Sequence, residues 1–277
     1  MTVHLYDGIA VIRRDLESDQ LGRAPRKIFL DMMAVKPTDV AVWCWDGQGA
    51  KQWRQAIYPA YKAKRVPQPD SVWATIKMMR NVLRYTKALQ VTAPEFEADD
   101  LIAHYAQQAN AASHVKIHSV DKDLSALMVN PYVTASFGLI PGPKPAVEGE
   151  GQQCIQPRWV QLYKMCVGDP SDNIAGIPGF GKKTWWDISD LGWLEDLERI
   201  INHQLNETGA LHGGTDRSRA VWNMIPKRCQ RLLELDQVPL RAMKQIIGFR
   251  PLTETPPVIV GTNEFAAGDA ILKEFFL

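Results

Sequence analysis

Residues 41–47 read Ala-Val-Trp-Cys-Trp-Asp-Gly. Five consecutive apolar residues that stop at Asp46-Gly47 describe a strand buried on both faces and closed by a turn. A short β-prone run at the start of the chain, Thr2 to Tyr6, likewise ends at Asp7-Gly8. A third apolar run, Val115 to Val120, leads into Asp121-Lys122-Asp123. Three such runs, each ending in an aspartate, predict a parallel sheet with acids at the carboxyl ends of its strands. Open α/β sheets place their ligand sites there.

The segments between these runs have helical spacing. Ser71 to Ala88 sets Val72, Trp73, Ile76, Met79 and Leu83 on one stripe with Lys77, Arg80, Arg84 and Lys87 between them,. Asp99 to Asn110 is a second expected helix. Ile140 to Gly151 is rich in Pro and Gly and marks the expected domain boundary,. Beyond it, Gln156-Pro157 opens a helix that delivers Val167-Gly168-Asp169, since proline is tolerated in a first helical turn,.

Composition narrows the class. The 277 residues carry 45% apolar and 23% charged residues, with a formal net charge of +1. That is the make-up of a globular protein without a global bias towards nucleic acid, so any such affinity has to be local. Four cysteines lack a C-x-x-C spacing, which argues against structural zinc and for reduced buried thiols,. Neither a signal-peptide core nor an apolar run of membrane length is present in the sequence, so the chain reads as cytoplasmic,.

The acids carry the chemistry. Besides Asp7 and Asp46, the chain holds Glu97-Ala98-Asp99-Asp100 at a helix start, Asp121-x-Asp123 after a strand and Asp169-x-x-Asp172 at a helix end. Each group alone is ordinary cap or turn chemistry. One shared cause explains all five groups better than five separate ones. Nine carboxylates in one cavity would repel one another and raise each other's pKa values unless cations compensate them. Oxygen ligands without His or Cys point to Mg²⁺ or Mn²⁺, and two such ions about 4 Å apart suit phosphoryl displacement.

Two further stretches suit nucleic acid. Gly176-Ile-Pro-Gly179-Phe-Gly181-Lys182-Lys183-Thr184 is a tight turn into a helix. Its free backbone N–H groups, two lysines and Thr184 hydroxyl suit a DNA phosphate, read without base specificity. It departs from a P-loop, which needs four residues between its glycines and Gly-Lys-Ser/Thr next. From Lys51 to Arg65, five basic residues alternate with Trp53, Tyr58 and Tyr61 and no acid intervenes. Cations such as Arg54 and Lys64 for phosphates, and aromatic faces for bases, are what a single-stranded end requires. Pro67 and Pro69 make a loop or arch of this stretch.

With these residues in view, the chain resembles the 5′-to-3′ exonucleases and flap endonucleases of bacteriophages and the 5′-nuclease domain of bacterial DNA polymerase I. The match runs through Asp7-Gly8, Asp46-Gly47, YPAYKAKR (58–65), EFEADDLIA (95–103), SVDKDLSAL (119–127) and VGDPSDNIAGIPGFGKKT (167–184), and weakly into 231–240. The resemblance implies an α/β PIN-like nuclease domain at 1–150 with a basic arch at about 50–70. A helix–three-turn–helix DNA-binding module is expected at 151–250, and a C-terminal extension of unassigned role at 251–277.

It implies one metal held by Glu97, Asp99 and Asp100 and a second by Asp123, Asp169 and Asp172. Asp121 would lie between them, and Asp7 and Asp46 would act through water. Lys62 and Arg65 fall where the family contacts the scissile phosphate, Tyr61 where it stacks on a base, and Arg14 where it carries an arginine. Asp100 and Asp121 join Lys62 and Arg65 as expected catalytic groups, and K⁺ is expected at the hairpin.

The expected protein is a stand-alone, monomeric nuclease of phage type, working in the host cytoplasm. It would cut DNA at 5′ ends, nicks or flaps, leave 5′-phosphates, and accept RNA–DNA hybrids. The rival readings are a PIN-type ribonuclease and a DNA-binding scaffold without catalysis. Ala270 to Leu277 is expected to be a core-docked helix rather than a sliding-clamp peptide.

Overall fold

The computed structural model describes residues 1–18, 23–142, 152–206 and 215–275. Most of the expected Pro/Gly boundary at 140–151, and the last two residues of the expected terminal helix, lie outside them. The chain divides into two compact units, each discontinuous in sequence. The first comprises Met1–Trp53, Val66–Pro157 and Phe249–Leu277; the second comprises Arg54–Arg65 and Arg158–Gly248. The residues after 248 thus return to the first unit.

In chain order the elements are β1 (Thr2–Asp7), α1 (Gly8–Ser18), α2 (Ala24–Met33), β2 (Asp39–Trp45), α3 (Gln52–Ile57), α4 (Asp70–Val82), β3 (Leu89–Thr92), α5 (Ala98–Ala106), β4 (His114–His118) and β5 (Val133–Ala135). The second unit contributes α6 (Val160–Val167), α7 (Lys182–Asp190), α8 (Leu194–Asn206), α9 (Asp216–Met224), α10 (Lys227–Glu234) and α11 (Leu240–Ile247). β6 (Val258–Val260) and α12 (Phe265–Phe275) close the first unit.

The described strands form one six-stranded sheet in the order β5-β4-β1-β2-β3-β6. β1 runs parallel to both neighbours, with Leu5 opposite Val42 on one side and Ile117 on the other. β6 is the exception, pairing antiparallel with β3. The expected α/β class with a mostly parallel sheet is therefore what the chain forms.

One sheet face packs Leu5, Val42, Cys44, Val115 and Ile117 against Leu101, Ile102 and Ala106 of α5. The other packs Trp43 and Trp45 against Phe29 of α2, Met79 and Val82 of α4 and Leu272 of α12. Buried on both faces, β2 needs an unbroken apolar sequence, which is why its alternation vanishes. Strand order turns back between β1 and β4, so a crevice opens beyond their carboxyl ends.

Several bounds differ from the sequence expectation. β4 ends at His118, because Ser119 turns to bind acids and Val120 is exposed. α4 ends at Val82 and tightens into a 3₁₀ turn at Leu83–Tyr85. Trp73, placed on the apolar stripe, is 46% exposed. No helix among the described residues is long and apolar enough to cross a membrane.

Candidate active site

In the first unit the Asp-Gly pairs owe their glycines to close approach. A Cβ on Gly47 would lie 1.7 Å from the Ala93 carbonyl oxygen, and one on Gly8 would lie 2.4 Å from the Trp45 ring. Only a bare backbone lets both strands end this tightly, so each aspartate is delivered at a fixed place.

Asp7 is buried. Ser119 Oγ donates to its Oδ2 at 2.8 Å, and the Ala10 N–H donates to Oδ1 at 3.2 Å. Burial pushes the Asp7 carboxyl up to about 6. Ser119 and Ala10 oppose that rise, while the negative charges of Asp46 and Asp121 add to it. Among the described residues, the charges acting on Asp7 are thus acidic ones. Cys44, buried on β2, has its thiol pushed well above its ordinary value by burial and then by Asp7 and Asp99.

Asp46 reaches from the end of β2 to the start of α5, where its Oδ1 accepts the Ala98 N–H at 2.8 Å. α5 carries Glu97, Asp99 and Asp100 in and around its first turn, where the positive end of the helix dipole favours anions,. Asp100 is almost fully buried. Its Oδ2 accepts the Glu97 N–H at 3.2 Å, and its Oδ1 accepts the Arg250 N–H at 2.8 Å. Asp121 Oδ1 accepts the Asp123 N–H at 2.9 Å, and Ser119 Oγ accepts the Asp121 N–H at 3.0 Å.

Asp7, Asp46 and Asp121 therefore share one electrostatic neighbourhood, bound to the helix that holds Glu97, Asp99 and Asp100. Acids gathered at neighbouring strand ends and a helix start supply the oxygen donors that a hard divalent cation takes, and the residues present fit one. Arg14, on α1, forms an ion pair with Asp15 at 2.6 Å.

In the second unit the arch residues meet the turn after α6. Arg65 Nη2 donates to Asp172 Oδ1 at 2.6 Å, the Lys62 N–H donates to the Asp172 carbonyl at 2.9 Å, and Asn173 Nδ2 donates to the Ala60 carbonyl at 2.8 Å. Asp169 accepts from Lys164 Nζ at 2.6 Å and from the backbone and hydroxyl of Ser171. Burial pushes the Asp169 carboxyl up, but Lys164 and Ser171 outweigh it and hold it below its ordinary value. Two expected metal ligands are thus matched with cations of their own unit. Lys164 is the buried partner that the sequence reading missed.

Two expected DNA contacts have other tasks. Tyr61 is 3% exposed, with the Lys62 ammonium 4.8 Å and the Arg54 guanidinium 5.9 Å from its ring centre. A base cannot stack on a ring that is already covered. Arg54 is equally buried and donates to the Ile246 carbonyl at 3.0 Å and the Gly248 carbonyl at 3.2 Å. It ties down the end of α11 instead of facing a phosphate. Tyr58 is partly buried, while Lys64 is exposed.

The hairpin between α6 and α7 closes on its glycines. Gly168 and Gly176 both have positive φ, and a Cβ on Gly176 would lie 2.5 Å from the Gly168 nitrogen. Gly179 also has positive φ, while Gly181 caps α7 with open space around its Cα. Lys182, Lys183 and Thr184 form the first turn of α7, where backbone N–H groups lack helical partners,. Lys183 pairs with Asp187 at 2.5 Å, and both lysines are exposed.

Ser119 and Arg250 are the first-unit residues that sequence reading did not single out. A hydroxyl two residues before a post-strand aspartate was a usable signal for Ser119. Arg250 carries none, because its backbone N–H acts across 150 residues of chain.

A family model described as "5'-3' exonuclease, N-terminal resolvase-like domain" matches residues 25–149. The 5'-3' exonuclease of Mycoplasma genitalium is 31% identical over 206 residues, covering 71% of this chain and 70% of that protein. DNA polymerase I of Rhizobium leguminosarum is 32% identical over 211 residues, covering 74% of this chain but 20% of that one. The chain thus spans about a fifth of the length of the DNA polymerase I relatives it matches. Among solved structures, zinc-bound T5 5'-exonuclease is similar in fold, with a TM-score of 0.51 at 16% identity and 99% of each chain covered. The catalytic core of Rad2 in complex with DNA gives 0.51 at 12% identity, covering 98% of this chain and 86% of that one. By the extent of its likeness to the Mycoplasma enzyme, the chain belongs to the 5'-3' exonuclease family.

Proposed function

We propose that this protein is a metal-dependent 5′-nuclease that hydrolyses DNA phosphodiester bonds at 5′ ends, nicks or flaps and leaves 5′-phosphate products. The observation that carries the reading is the gathering of acids at the strand ends: Ser119 Oγ ties buried Asp7 to the backbone of Asp121, and Asp46 reaches the first turn of α5, which holds Asp99 and Asp100 beside Glu97. Acids drawn together at the ends of buried strands need a counter-charge.

Asp7, Asp46, Glu97, Asp99, Asp100, Asp121 and Asp123 are proposed to hold divalent cations, Mg²⁺ or Mn²⁺. Asp169 and Asp172 are proposed as further ligands that exchange their pairing with Lys164 and Arg65 for a cation. Bound there, such ions supply the Lewis acidity that activates water and stabilises the departing 3′ oxygen. The chain's own residues orient this machinery. Ser119 fixes the Asp7 carboxylate, the Ala98 N–H fixes Asp46, and the Arg250 and Glu97 N–H groups fix Asp100.

Lys62 and Arg65 are proposed to meet the scissile phosphate. The α7 N-terminus, with Gly181, Lys182, Lys183 and Thr184, is proposed to bind the backbone of duplex DNA, with K⁺ at the hairpin carbonyls. Related structures support the substrate class. One is a T5 flap endonuclease pseudo-enzyme-product complex with DNA and metal ions. The test is digestion of 5′-labelled nicked, gapped and flapped duplexes with Mg²⁺, followed by sizing of the products. Short 5′ fragments that need the metal are expected; fragments from internal cuts alone would overturn the reading.

A further inference from the structure

The first unit contains a cavity of about 1120 Å³ that touches the proposed cation-binding acids at Asp46 and extends away from them. It runs from Asp46 and the loop after it, along α4, to β6 and α12 of the C-terminal return. Its walls carry four cations, Lys51, Lys77, Arg80 and Arg84, against the single carboxylate of Asp46. Among the described residues, none of these four forms a salt bridge, whereas Arg13, Arg14, Arg26, Lys27 and Lys273 of the same unit do. Arg80 instead lies over the Trp45 ring at 5.0 Å, with the like charge of Arg84 near it.

The apolar part of the wall has a different character. Trp73 projects from α4 with 46% of its surface exposed, and Phe275 of α12 is 41% exposed. Both line the cavity. An exposed indole face beside cations without a salt bridge is the complement of a ligand with planar bases and phosphates. The volume exceeds the roughly 300–1,000 Å³ of ordinary small-molecule pockets, which favours an extended ligand over one nucleotide.

Resting on the nuclease reading above, we propose that this cleft binds several unpaired nucleotides of the substrate. Trp73 is the stacking platform, Arg84 and Lys77 contact phosphates, and the C-terminal segment, through Ile259, Ile271 and Phe275, forms the far wall. That assigns residues 251–277 a role in holding single strand.

The test uses the full chain in EDTA, so that nothing is cut, with an oligothymidylate of about six nucleotides carrying 5-iodouracil. Ultraviolet cross-linking and peptide mapping should place adducts on Trp73 or Phe275. Trp73→Ala should weaken binding about tenfold, and Arg84→Ala should lower the slope of log affinity against log salt by about 0.7. Both substitutions are at the surface, so melting temperatures should match wild type. Cleavage of a nicked duplex with no unpaired strand should also be unchanged.

Adducts confined to residues 54–65, or affinities unmoved by either variant, would overturn the inference while leaving the nuclease reading intact. Adducts on Trp73 in a chain that cuts no DNA would do the reverse.

Discussion

Ser119 Oγ donates to Asp7 Oδ2 at 2.8 Å while accepting the Asp121 N–H at 3.0 Å, so one hydroxyl fixes two acids at the ends of neighbouring strands. Ser119→Ala should cost about 1–2 kcal/mol of stability, because a buried acceptor and a backbone donor each lose a partner. Asp7 also loses a bond that favours its charged form. It would then hold its proton to higher pH, and cations must displace that proton. The Mg²⁺ concentration for half-maximal cleavage should rise, more at pH 6.5 than at pH 8; a metal titration at the two pH values checks this.

Asp46→Asn and Asp121→Asn should abolish cleavage and leave DNA binding measurable. Asp100→Asn should differ from both. The buried Asp100 carboxylate accepts two backbone N–H groups, and an amide nitrogen in place of one oxygen would face a donor. That variant should lose about 1–3 kcal/mol of stability as well as activity, read by denaturant unfolding.

The glycines separate into structural and contact positions. Gly47→Ala drives a methyl into the Ala93 carbonyl and should cost about 3 kcal/mol or more,. Gly181→Ala meets nothing within 4 Å and leaves ordinary φ, so its melting temperature should be unchanged. It should still weaken duplex binding if the DNA backbone approaches there. Lys182→Ala should lower the salt slope of duplex binding by about 0.9, and Lys183→Ala by less, since Asp187 already neutralises it,.

Acid lability should trace to His118. Burial first, then the charges of His4, Lys116 and Arg14, depress its pKa from 6.5 to about 4. Between those values the unfolded chain binds more protons at His118 than the folded one, so His118 lowers stability as pH drops from 6.5 towards 4, while Asp7, raised to about 6, acts in the opposite direction below that pH,. His118 is partly exposed, so the loss should be about 1–2 kcal/mol. His118→Phe keeps the stack on Tyr6 and removes the titration. Its unfolding free energy should gain on that of wild type as pH falls through that range.

β2 was legible because a strand buried on both faces leaves an unbroken apolar run, and β1 and β4 because apolar residues alternate along them shortly before an acid. β3, β5 and β6 were not, being only three or four residues long. β3 also hides a buried Gln90, whose Oε1 accepts from the Trp45 indole at 3.1 Å. Residue type announced the acids, but not what holds them. Arg54 read as a cation for DNA because its partners, the carbonyls of Ile246 and Gly248, lie over 190 residues away. Such contacts depend on the return of the chain, which no local pattern encodes.

The central claim is that the clustered carboxylates exist to bind divalent cations. Calorimetric titration of Mn²⁺ into the full chain, wild type against the Asp46→Asn, Asp121→Asn double variant, tests it most directly. The account predicts saturable binding to wild type and a loss of about tenfold or more in the folded variant. Equal affinity in both proteins, or no binding to wild type, would contradict it.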